Sequence, residues 1–160
     1  GMVFVNNVID NQAVDSARAS DVNNVPSDFV PESHPTLGTS PSKHITRIVQ
    51  LNQAADGIKL LLDMYKPPAA DFDVYYRTGA DADVDLYENE WVLVTPQNSP
   101  PDAVYSLSDD NLTFQEYRYL IGGTEGDLPD FVSFQIKVVM RSSNTCQPPV
   151  LNNIRAIALI

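Results

Sequence analysis

The chain has 160 residues, with 21 acidic side chains against 10 basic ones and a formal net charge of −11 at neutral pH. A surface of that sign repels phosphate backbones and anionic lipid, so nucleic-acid binding and membrane docking are excluded as leading functions. One cysteine, Cys146, excludes an intrachain disulfide and a cysteine-rich zinc site, and no apolar run approaches the roughly 18 residues of a membrane span.

Gly1-Met2 reads as a protease remnant ahead of a native start, and no basic-then-apolar leader follows it. Residues 1–44 are aperiodic: Val3, Phe4 and Val5 make one apolar patch, and Pro26, Pro31, Pro35 and Pro41 punctuate a run of Asn, Asp, Ser and Ala. We expect an extended N-terminal arm, with a short helix possible over 10–18. Phe4, Phe29 and Val30 are its apolar anchors, because such side chains are costly to leave in water.

From residue 45 the texture becomes strand, turn, strand. Residues 45–51 are β-branched and alternating, and Asp56-Gly57 is a hairpin signal. Residues 58–65 place Ile58, Leu60, Leu62 and Met64 on one face, and Pro67-Pro68 ends them. Residues 72–77, 90–95 and 112–120 continue the pattern, the last closed by Gly122-Gly123; an eighth strand is possible around Val104-Tyr105. Residues 131–141 point Val132, Phe134, Ile136, Val138 and Met140 one way, with Ser133, Gln135, Lys137 and Arg141 opposite. Residues 154–160 are apolar on both faces, as in a central strand. The expected fold is all-β: an antiparallel β-sandwich, jelly-roll-like, of seven or eight strands. The domain is expected to run over 45–160, with Trp91, Phe134, Ile136 and Ile154 between the sheets.

Chemistry is harder to find. Asp81, Asp83 and Asp85 lie at alternate positions of an acidic loop and are the candidate metal ligands, since calcium takes six to eight oxygens. As an EF-hand the loop fails, with Leu86 in the glycine position and Val92 in the glutamate position, so a solvated loop is the better reading. His34 and His44 lie in or beside the arm, and no G-x-S-x-G elbow accompanies them. Gly122 to Gly126 lacks the lysine and helix of a phosphate cradle. Asn111-Leu-Thr113 is a formal glycosylation sequon. The rings of Tyr65, Tyr75, Tyr76, Tyr87, Trp91, Tyr105, Tyr117 and Tyr119 could stack on sugars. Most have strand spacing and belong to a core; Tyr75, beside Arg77 on an outward face, and Tyr117 stay open. No cofactor is expected.

Several pieces together carry a resemblance: His34-Pro35, Lys43-His-Ile-Thr-Arg47, Val49-x-Leu51, Tyr65-Lys-Pro-Pro68, Val74-Tyr-Tyr-Arg77, Trp91, Phe134-Gln-Ile-Lys-Val-Val-Met140, Pro148-Pro149 and Ile154-Arg-Ala-Ile157. Over residues 30–160 the chain resembles β-rich virion structural proteins of contractile-tailed, marine-type bacteriophages, the baseplate or tail-fibre components. The resemblance implies a non-enzymatic module located in the virion, with other virion proteins or further copies of itself as partners. The candidate interaction residues come from the sequence itself: the anchors Phe4, Phe29 and Val30, and the outward-facing Tyr75 and Arg77. The alternative is a carbohydrate-binding β-sandwich that recognises cell-surface glycans.

Overall fold

In β4, Gly57–Tyr65, the side chains Ile58, Leu60, Leu62 and Met64 are sealed from solvent while Lys59 and Asp63 face the other way. The computed structural model describes residues 2–3, 30–40, 42–94, 114–123, 128–144 and 146–160. Within them the other strands are β1 Met2–Val3, β2 Lys43–Ile45, β3 Val49–Ala55, β5 Ala70–Gly79, β6 Val92–Leu93, β7 Gln115–Gly122, β8 Phe131–Ser142 and β9 Val150–Leu159, and the alternation recurs most plainly in β5, β7 and β9. A 3-10 turn at Leu86–Glu88 is the one helical element among the described residues.

All pairings are antiparallel. One sheet runs β1-β9-β4-β7 and the other β2-β8-β5-β6, with β3 extending the edge that β2 begins on β8. With β2 and β3 taken as one broken strand, this is the eight-strand jelly-roll order, in which the chain changes sheets at nearly every connection. The core lies between the sheets: Phe134, Ile136, Val138 and Met140 of β8 meet the inward row of β4 together with Leu151 and Ile154 of β9. Phe72 meets Tyr117 edge-on with ring centroids 5.0 Å apart. Each large side chain sealed here contributes about 1.5–3 kcal/mol.

Several expectations change. Residues 45–51 are not one strand, because residues 46–48 interrupt it. There the Thr46 N–H donates to Ile136 O at 2.9 Å, and its hydroxyl accepts from the Ile136 N–H at 3.0 Å. Asp56-Gly57 is not a hairpin, since β3 and β4 belong to different sheets. It is a corner, held by Asp56 N–H donating to Leu159 O and Gly123 N–H donating to Asp56 O, both at 3.0 Å. Gly57 is required there, because a Cβ would sit 2.6 Å from the Gly123 nitrogen. Gly122 and Gly123, which close β7, have φ of 65° and 80°, a region that favours glycine. The additional strand is Met2–Val3, paired with Ile157 and Ala156; Val104 and Tyr105 lie outside the described residues. Of the strand expected over 90–95, the described residues 90–94 form only the two-residue β6.

By parity Phe131 shares the polar side of β8, yet it is buried in the core against Phe134 where the β3–β8 register slips between Gln50 and Ala55. Trp91, expected between the sheets, is not there: it is buried outside the core cluster, on the outer face of the β8 sheet. The boundary expected between residues 44 and 45 falls inside β2, and the packed body already includes residues 30–40.

Candidate functional site

The outer face of the β8 sheet carries Tyr75 and Arg77 from β5 beside Gln135 and Lys137 from β8; Tyr75 pairs with Lys137 and Arg77 with Gln135. A polar face on a period-two strand ordinarily meets water. Here Arg77 and Lys137 are only 3% and 2% exposed, because residues 30–40 run across them as a strap.

The strap is fastened mainly through its oxygens. Lys137 Nζ donates to the Glu32 carbonyl at 2.5 Å and to Glu32 Oε2 at 2.9 Å. Lys43 Nζ reaches Glu32 Oε1 at 3.2 Å and the Gly38 carbonyl at 2.6 Å. The Trp91 N–H donates to Ser33 O at 2.8 Å, and its indole N–H donates to Pro35 O at 3.3 Å. Arg77 Nη1 reaches the carbonyls of Pro35 at 3.2 Å and Asn89 at 3.3 Å, while its Nε and Nη2 both donate to Gln135 Oε1. Gln135 in turn donates to Thr46 O at 2.5 Å.

The Trp91 ring packs against both of these cations. Arg77 is 4.1 Å and Lys137 4.6 Å from its centroid, and Lys137 also sits 4.9 Å from the Tyr75 ring. Partly desolvated cations over aromatic faces gain about 2 kcal/mol or less each, which offsets part of their burial. The layer holds three cations, Arg77, Lys137 and Lys43, against one carboxylate, Glu32. Burial raises the Glu32 carboxyl, but bonds from Lys137 and the Ser40 N–H, with the charges of Lys137 and Lys43, outweigh it and hold the group below its ordinary value. Lys137 is pushed down by burial more than Glu32 lifts it. Burial also pushes the His44 imidazole in β2 below its ordinary value of 6.5.

Acidification should therefore act twice. Neutral His44 is favoured in the fold, so below 6.5 the unfolded chain takes the proton first and stability falls until the folded value is reached. The Glu32 contribution is present above 4.5 and is lost as pH falls through its lower folded value. Melting temperature measured against pH should decline in those two stages. His44→Gln should remove the upper stage and Glu32→Gln the lower one.

The remaining candidates stand apart from this layer. Val30 is half-buried at the base of the strap, where its carbonyl accepts from the Thr39 N–H at 3.1 Å. Phe4 and Phe29 lie outside the described residues. Arg77 and Tyr75 share an outward face as expected, but Arg77 is covered and Tyr75 half-buried, so neither is a freely exposed contact. Asp81, Asp83 and Asp85 are exposed; Asp85 caps the 3-10 turn by accepting from the Tyr87 N–H at 2.9 Å. No group of three or more His, Cys, Asp or Glu residues gathers to hold an ion among the described residues. Tyr117 and Tyr119 are core residues, and Tyr105 lies outside the described residues. His34 stays local, its Nδ1 accepting from the N–H groups of Thr36 and Leu37.

Sequence reasoning missed Glu32, Lys137 and Trp91 as one constellation. The one signal available was Arg77, a long cation in the middle of a strand whose inward neighbours are core residues. No protein-family model matches this chain, and no curated protein matches it.

Proposed function

We propose that the chain is a non-enzymatic structural module of a phage virion, a tail, baseplate or fibre component that acts through protein–protein contacts with other virion proteins or further copies of itself. The observation that carries this reading is the strap. An extended segment without regular structure is held on a sheet face by backbone carbonyls, one carboxylate and two aromatic-backed cations. Carbonyl recognition of this kind makes few demands on sequence, which suits a fold that must accept extended arms. The jelly-roll order supports the reading as well, being an architecture of capsid and lectin domains. A third support is β6, an edge strand among the described residues, where Val92 and Leu93 are exposed; an apolar edge strand is a template for pairing with another chain.

Light scattering on the intact chain and on a chain beginning at Ser42 tests the proposal. The intact chain should form a defined oligomer at micromolar concentration. The shortened chain should lose mass and melt at a lower temperature, because Lys137, Arg77 and Trp91 lose the oxygens that the strap supplies. A strictly monomeric intact chain, with mass and melting unaffected by the truncation, would overturn it. Glycan binding by a monomer would point instead to the carbohydrate-binding alternative.

A further inference from the structure

The opposite surface of the sandwich, the outer face of the β4 sheet, carries different chemistry. Three cross-strand rows lie there: Ile157, Lys59 and Leu120; then Arg155, Leu61 and Arg118; then Asn153, Asp63 and Glu116. The last two rows enclose a groove of about 280 Å³ lined by Leu61, Asp63, Glu116, Asn153 and Arg155. A bulge shapes it: Asp63 pairs with Asn153 and Met64 with Leu151, so Asn152 is an extra residue. Its amide reaches Asp63 Oδ2 at 2.8 Å. Arg155 reaches from β9 across the central strand to Glu116 Oε2 at 2.7 Å, and Arg118 meets Glu116 Oε1 at 2.8 Å.

We propose that this groove binds one pyranose ring of a glycan. Charge selects the ligand class. Asp63 and Glu116 are balanced by Arg118 and Arg155, so neither an anion nor a cation gains from entering. The hydrogen bond from Arg118 and the nearby Arg155 hold the Glu116 carboxyl below its ordinary value, which keeps it an acceptor. A neutral polyol suits such a lining, because each hydroxyl donates to a carboxylate and accepts from a guanidinium or amide. Asn153, which lines the groove, also has a side-chain oxygen that is shielded from solvent and has no hydrogen-bond donor.

Size and an apolar flank agree with that class. The volume lies just below the roughly 300–1,000 Å³ of sites for drug-sized ligands, which suits a single ring. Tyr65 lies two positions beyond Asp63 on the same face, about 7 Å along the strand. Its ring is 6.3 Å from that of Phe114, and such a pair suits the C–H face of a sugar. The proposal gives the glycan-binding alternative a place on the fold and stands whether or not the assembly reading holds.

Saturation-transfer NMR on the intact chain tests it, with the methyl pyranosides of glucose, galactose and mannose as probes at millimolar concentration. At least one should receive saturation. Asp63→Asn and Tyr65→Ala, checked as folded by their melting curves, should each weaken its binding by about tenfold, the first by removing a charge-assisted contact and the second by removing an aromatic face. Asp71→Asn, on the other sheet, should leave it unchanged. No transfer to any of the three glycosides would overturn the proposal, as would transfer that survives both groove variants.

Discussion

Phe134→Ala is expected to cost about 3–5 kcal/mol. Phe134 is 1% exposed and packs edge-on against Phe131 at 6.1 Å. It sits on β8, which is paired on one side with β5 through Thr78 and on the other with β3 through Val49. A central strand held in two ladders cannot move in to fill the void, so transfer and cavity costs both apply. Urea melts read the effect directly. A loss below about 1 kcal/mol would mean that β8 presents its other face to the core, since a one-residue slip exchanges every side chain between faces.

Glu32→Ala comes next, at about 3 kcal/mol, near the lower bound for breaking a buried ion pair from one side. Lys137 would stay beneath the strap with its charge, keeping the Glu32 carbonyl and the faces of Tyr75 and Trp91 but losing its carboxylate. The surviving carbonyl is the reason for choosing the lower bound. Lys137→Met should cost less, because Glu32 keeps Lys43 and the Ser40 N–H. The double variant Glu32→Ala, Lys137→Met should recover most of the loss, since an apolar stem replaces the pair without leaving the lysine charge buried. Urea midpoints of the four chains give the coupling. If Glu32→Ala loses less than about 0.5 kcal/mol, as a surface substitution would, the strap does not stay closed over Lys137.

The inward rows were legible because burial imposes period two on any strand that faces a core. Ile58 to Met64 and Phe134 to Met140 could be assigned to the sandwich interior residue by residue. Chain direction at corners was less legible. Asp56-Gly57 has the composition of a hairpin turn and serves as a passage between sheets, because glycine answers to close backbone approach in both cases. Composition does not say whether the strands on either side pair with each other.

The candidate strap site was legible only in fragments. Arg77 and Tyr75 could be put on one outward face of β5, and Lys137 and Gln135 on one outward face of β8. Alternation separates a core-facing side from the opposite side, but it does not say whether water or another segment covers that opposite side. Glu32 and Lys137 are 105 residues apart, and no local pattern encodes a contact across that distance. What the sequence by itself determined was the class of fold and the inner face of most strands, because hydrophobic periodicity is a local consequence of burial. The tertiary structure decided the rest: the strap over a cationic layer, Trp91 outside the core and the groove at the Asn152 bulge. Each of these depends on strands distant in the chain being brought side by side, where unlike charges, carbonyls and rings can satisfy one another.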